Sequence, residues 1–245
     1  MKNGQYVKAA KIGRALMDAD IVISLAHFKG HEMTGFGGSI KNLGMGGGSR
    51  AGKMEQHSSG KVVVATEKCR GCRRCAPECG SSAIHYENNK AVIDSKVCKG
   101  CGRCIGACPF DALSNDQWDA NDVLDRKMAE YTQAICQDRP TFHINMAMDI
   151  SPNCDCHGDN DAPILPNLGI FTSFDPVACD QAADACQKAT PLESSQLGDH
   201  LAQEDWQHHH DVFLDSNPHV NWEETLIHAE KIGLGTRRYE LVTMK

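Results

Sequence analysis

The sequence predicts an α/β fold in which a single α/β domain is interrupted by an inserted α+β module, and three observations carry that expectation. Apolar residues at helical spacing alternate with short apolar runs toward both ends of the chain. A cysteine-rich stretch in the middle breaks the alternation, and that stretch repeats itself at a shift of 29 residues. The boundaries read as 1–64 and 118–245 for the two parts of the α/β domain and 65–117 for the module.

Taken in order, Gln5 to Asp18 carries Val7, Ala10, Leu16 and Met17 at helical spacing and predicts a helix, and Asp20–Leu25 predicts a buried strand. Nine glycines between Gly30 and Gly52 argue against a long regular element and for a loop built to approach a ligand closely. That loop is not a phosphate cradle, because Lys53 is followed by Met54 rather than Ser or Thr. Inside the module, Ala83–Asp94 reads as a hairpin turning at Asn88-Asn89, and Ala112–Asn115 as a closing strand. Beyond it come a helix over Asn121–Cys136, a strand over Phe142–Met148, and the ligand-rich loop SPNCDCHGDNDAP. Asp175-Pro176 is a helix start leading to about Lys188, Asn221–Ile232 is a helix stopped by Gly233, and Arg238–Met244 predicts a final strand.

The chain has 245 residues, 41% apolar and 23% charged, enough for one sizeable core with a small satellite. No apolar run approaches the roughly 18–20 residues a bilayer span needs, and the start lacks a signal-type apolar stretch, so the expectation is a cytoplasmic protein without membrane contact. A net charge of −7 without a basic run argues against nucleic-acid binding. Thirteen cysteines in such a chain read as metal ligands or redox groups before disulfides.

Eight of them fall in CRGCRRCAPEC and CKGCGRCIGAC, which superpose so that Cys69, Gly71, Cys72, Cys75 and Cys79 fall on Cys98, Gly100, Cys101, Cys104 and Cys108. C-x-x-C-x-x-C lets one tight loop deliver thiolates to three corners of an iron–sulfur cube, and in two-cluster ferredoxins the last Cys of each run crosses to the other cube. Cys69, Cys72, Cys75 and Cys108 are therefore assigned to one [4Fe–4S] cluster, and Cys98, Cys101, Cys104 and Cys79 to the other. Paired zinc knuckles would use four cysteines per site but have no need of the third Cys in each loop. The first run ends Cys79-Gly80 where the ferredoxin pattern has Cys-Pro, as at Cys108-Pro109. From Thr66 to Ile105 eight Lys and Arg face four acidic residues, a basic face suited to an acidic electron-carrier protein or redox enzyme.

The chain resembles the domain-of-unknown-function 362 family over nearly its whole length, on DADIVISLAHFKGHEMTGFGGSIKNLGMG, SRAGKMEQHS, DISPNCDCHGDNDAPILPNLGIFTSFDPVACDQA and HAEKIGLGTRRYEL. Members of that family often carry a two-cluster ferredoxin insert, and they have more sequence ahead of the first helix, which makes this chain look like a shortened member or a fragment. More distantly, His31, Gly35-Phe36-Gly37-Gly38, Lys41 and His57 are similar in order to the active-site stretch of nickel-pincer lactate racemases. That likeness implies that His31 moves a proton, Lys41 anchors a cofactor or carboxylate and His57 ligates a metal, with a small anionic substrate.

Cys154, Cys156 and His157 offer soft ligands for a possible additional metal ion, alongside Asp159 and Asp161. Cys136, Cys179 and Cys186 read as small buried residues on helices, and His208-His209-His210 as surface histidines. Transfer of single electrons from a reduced donor to a partner or to a site in the chain's own α/β domain is the leading functional expectation, with a potential on the order of −400 mV. The alternatives are an enzyme at the glycine-rich loop and clusters that only staple the fold.

Overall fold

The computed structural model describes residues 4–156, 158, 160–181, 183–193 and 211–244, so His157, Asp159 and the histidine run at 208–210 lie outside the described residues. The chain forms two compact units, one from residues 1–47 with 121–245 and one from 48–120. The fold is α/β with a mixed sheet.

In the first unit a short helix α1 (Arg14–Met17) precedes strand β1 (Val22–His27), a small hairpin of β2 (Lys29–His31) and β3 (Gly35–Gly37), and helix α2 (Ser39–Gly47). The second unit contains α3 (Arg50–His57), β4 (Val62–Val64), the hairpin β5 (Ile84–Glu87) and β6 (Lys90–Ile93), α4 (Arg103–Gly106) and β7 (Leu113–Asn115). The chain then returns to the first unit through α5 (Asn121–Cys136), β8 (Thr141–Ala147), β9 (Gly169–Ser173), α6 (Pro176–Asp180), α7 (Ala183–Cys186), α8 (Val212–Ser216) and α9 (Trp222–Lys231). β1 pairs in parallel with β8, which pairs antiparallel with β9, and α2 and α5 pack together beside this sheet.

Four expectations about local structure need correction. The helix over Gln5–Asp18 shrinks to Arg14–Met17, because the backbone N–H groups of Gln5, Tyr6 and Val7 are spent on the buried Glu130 carboxylate, at 2.7–3.2 Å. The glycine-rich stretch holds two helices, α2 of nine residues and α3 of eight. In α2 a glycine serves helix packing: a Cβ at Gly44 would lie 2.3 Å from the Met128 carbonyl oxygen of α5, so only glycine permits that approach. The single helix expected from Asp175 to Lys188 divides into α6 and α7, although its start stands, with Asp175 accepting from Val177 and Ala178 N–H and Pro176 at the first turn. Residues 238–244 form no strand, and Leu241, Val242 and Met244 are exposed.

β1 also departs from a strand buried on both sides. Val22 and Ala26 are buried, whereas Ile23 and Leu25 are more than half exposed, at 67% and 60%. The main core lies on the other face, where Phe28 stacks on Phe36 at 4.9 Å between ring centroids and both meet Phe213.

Within the second unit the duplication extends to the backbone. β4 pairs with β7 so that Val64 faces Leu113, and β5 pairs with β6 so that Ile93 faces Ile84. Moving the first pair by the 29-residue repeat, forward for Val64 and back for Leu113, lands on the second pair. Left-handed residues repeat at the same shift: Gly71 with Gly100, Arg73 with Gly102, and Ser82 with Asp111. The hairpin turns through Asn88 and Asn89, both at positive φ, as a two-residue turn matched to strand twist demands.

Candidate functional site

Each cysteine loop wraps a cavity. One is lined by Cys69, Cys72, Cys75 and Cys108, with Tyr86 and Leu113 among its walls. The other is lined by Cys79, Cys98, Cys101 and Cys104, with Val62 and Ile93. In each case three sulfurs come from one run and the fourth from the other. All eight thiols are unbridged.

The backbone turns N–H groups onto these sulfurs. Ala91 donates to Cys69 Sγ, Gly100 to Cys98 Sγ and Ala112 to Cys108 Sγ at 3.4 Å, and Ala83 to Cys79 Sγ at 3.2 Å. The last two are equivalent under the repeat. The Ala91 N–H lowers the Cys69 thiol below its usual range. Cys79 is also lowered: burial raises it, but Ser81 and nearby backbone donors outweigh that. Cys104 moves the other way, pushed up to about 11 by burial and then by the negative charge of Cys101 and Cys98. Four thiolates converging on a partly buried cavity repel one another, and a positively charged metal centre relieves that repulsion.

A second cluster of reactive groups lies in the first unit. Cys154 Sγ receives a hydrogen bond from Lys41 Nζ at 2.9 Å and one from the Cys156 backbone N–H at 3.4 Å. Ligand atoms of His31, Cys154 and Cys156 lie within 4.8 Å of one another, the one grouping of three such residues found at that spacing among the described residues. His31 and Cys154 are buried and Cys156 is exposed.

Backbone geometry assembles this site. His31 ends β2, and Lys41 sits in the first turn of α2, where Ser39 and Ile40 N–H donate to the buried Asp180 carboxylate at 2.6 and 2.9 Å. Those bonds satisfy donors that a helix start leaves open. The 151–156 loop docks through Gly30, whose N–H donates to Ser151 carbonyl at 2.8 Å, and a Cβ at Gly30 would lie 2.2 Å from Pro152 carbonyl oxygen. Asp155, between the two cysteines, is held by His27 Nδ1 at 2.8 Å and Lys29 Nζ at 3.4 Å.

Electrostatics at the site are one-sided. Burial raises the Cys154 thiol, yet hydrogen bonds from His31, Cys156 and Lys41 overcome it and bring it down to about 5. Cys156 is pushed up to about 11, by burial first and then by its bond to Cys154. His31 Nδ1 accepts from Met33 and Thr34 N–H at 3.0 and 3.2 Å, so the ring proton belongs on Nε2.

A family model described as Domain of unknown function (DUF362) matches residues 1–184. The chain belongs to that family. No curated protein matches this DUF362 chain. Its thirteen cysteines point to metal binding in this family member. Among the described residues no helix is long and apolar enough to cross a membrane.

Of the residues singled out from sequence, His31 and Lys41 meet Cys154 and Cys156, two groups that sequence reasoning had kept apart. His57, half-buried at the end of α3, belongs to the 48–120 unit of this DUF362 chain. Cys179 and Cys186 are buried on α6 and α7 and pushed up to about 12, chiefly by burial. Cys136 ends α5, half-buried and pushed up to about 11 by burial. Asp180 and Gly30 were missed, since nothing local marks a carboxylate that reaches a helix 140 residues away or a glycine that meets a distant loop.

Proposed function

We propose that the 48–120 unit is a ferredoxin-type module holding two [4Fe–4S] clusters, and that the protein transfers single electrons to a protein partner. The observation that carries the reading is the partition of eight cysteines into two cavities, each taking its fourth sulfur from the opposite run. Cys69, Cys72, Cys75 and Cys108 would hold one cluster and Cys98, Cys101, Cys104 and Cys79 the other, each supplying one-electron chemistry at low potential when bound. The donor set suits it: sulfur ligands only, N–H groups aimed at sulfur, and a third cysteine in each loop that a zinc site would not need. The Lys and Arg excess around the module favours an acidic electron carrier or redox enzyme as partner.

Protein purified without oxygen should contain about eight irons and eight sulfides and give a dithionite-reduced paramagnetic signal. Cys108→Ser should halve the iron while leaving the cavity of Cys98, Cys101 and Cys104 loaded. Zinc in place of iron would overturn the reading. Clusters that resist reduction, yet whose removal unfolds the chain, would instead make them staples of the fold.

A racemase-like enzyme, with His31, Lys41 and His57 acting on a small anionic substrate, is less well supported. Lys41 Nζ already donates to the chain's own Cys154 Sγ at 2.9 Å, and His31 Nδ1 already accepts from Met33 and Thr34 N–H.

A further inference from the structure

We propose that Cys154 and Cys156 form a dithiol–disulfide couple that exchanges with external disulfides, with Cys156 meeting the substrate and Cys154 closing the intramolecular bond. This goes beyond the cluster reading and does not depend on it. The argument starts from what surrounds Cys154 Sγ. Lys41 Nζ at 2.9 Å and the Cys156 N–H at 3.4 Å both donate to that sulfur, and His31 and the Cys156 sulfur lie within 4.8 Å of it. An ammonium and a backbone N–H aimed at the sulfur favour the thiolate, the form that attacks disulfides.

The same geometry disfavours a metal at His31, Cys154 and Cys156, although three ligand atoms lie close together. A histidine that binds a metal through one nitrogen normally donates the other N–H to an acceptor. Here Nδ1 faces two backbone N–H donors, so Nε2 keeps its proton and has no lone pair to give. The Lys41 ammonium, 2.9 Å from Cys154 Sγ, would also repel a cation there.

The chemistry then follows from exposure. Cys154 is buried and Cys156 exposed, so an external disulfide reaches Cys156 first. As Cys156 Sγ attacks, its proton passes to the adjacent Cys154 thiolate, the substrate S–S bond breaks, and one substrate thiolate leaves with the electron pair. The departed thiolate takes the proton from Cys154. Cys154 Sγ then attacks the Cys156 sulfur of the mixed disulfide and expels the second substrate half as a thiolate. In sum, the thiolate–thiol pair becomes a disulfide, and one substrate disulfide becomes one thiol and one thiolate. The two cysteines lose two electrons and the substrate gains two. The two sulfurs already lie within 4.8 Å of each other, and Asp155 between them is pinned by His27 and Lys29.

The test uses the full chain, purified without oxygen, incubated with oxidised glutathione, alkylated and mapped by peptide mass spectrometry. The peptide containing residues 154–156 should become two hydrogens lighter and escape alkylation. Cys154→Ser should stall as a glutathione adduct on Cys156, and Cys156→Ser should give neither adduct nor disulfide. Lys41→Met should slow closure by at least about tenfold, with Lys41→Arg restoring most of the rate, because closure depends on the thiolate fraction. Circular dichroism identifies folded variants, and Lys41→Arg keeps the test decisive if Lys41→Met misfolds. The proposal is overturned if both cysteines stay reduced and alkylatable in the wild type. It is equally overturned if cobalt(II) gives a sulfur-to-cobalt charge-transfer band that Cys154→Ser abolishes. Iron is counted separately, so either failure leaves the cluster reading standing.

Discussion

Asp180 sits where burial and hydrogen bonding oppose each other. Burial pushes its carboxyl up to about 6, while its partners Ser39 N–H, Ile40 N–H and Asn145 Nδ2 are donors that fit the ionised form. A neutral amide would turn its own N–H₂ toward those donors on one side. Asp180→Asn should therefore cost about 2–4 kcal/mol of stability by urea unfolding at pH 7 and loosen the start of α2 that carries Lys41. Its proton linkage is unfavourable: with the folded pKa raised, the native state binds more protons than the unfolded state between about pH 4 and 6, so this group's contribution falls as pH rises through that window. Cys154 has the opposite sign. Its folded pKa of about 5 lies below the ordinary 9.0, so the native state binds fewer protons between those values and stability rises with pH. Measured from pH 5.5 to 8, wild-type protein should gain more stability than Cys154→Ser; equal gains would mean that the thiolate is not held as described.

At the level of elements, legibility in the sequence tracks how local each cause is. α5 was readable to the residue because its apolar stripe is its own, and the module hairpin because Asn88-Asn89 encodes its turn. The glycine-rich stretch misled, since Gly44 and its neighbours serve close packing on α5 rather than chain freedom. The candidate site divides the same way. Cysteine spacing announced the two four-sulfur groups, whereas the meeting of Lys41 with Cys154, separated by 113 residues, depends on a bare backbone at Gly30. That dependence can be tested. Gly30→Ala should force β2 and the 151–156 loop apart, destabilise the protein by about 1–3 kcal/mol as overpacked sites do, and expose Cys154 to alkylation at neutral pH. A variant with wild-type stability and a protected Cys154 would show that the loop docks by other means.

For the molecule as a whole, the three-stranded sheet is covered unequally. Val22, Ala26, His143 and Ala147 point into packed side chains, whereas Ile23, Leu25, Ile170 and Phe174 are exposed by 59–79% on the described structure. The run Ile21-Val22-Ile23-Ser24-Leu25 reads as a strand apolar on both faces, which is the pattern of a sheet sandwiched between layers. Stability should come from one face only, because an exposed side chain gains nothing from burial. Phe28→Ala, at a fully buried ring stacked on Phe36, should then cost about 3–5 kcal/mol. Ile23→Lys, on the neighbouring strand, should change the unfolding free energy by no more than about 0.5 kcal/mol. The pair of measurements separates two situations that the strand's composition leaves equal. Should Ile23→Lys cost as much as Phe28→Ala, the outer face is buried in the folded protein in solution, and the one-sided sheet described here is wrong.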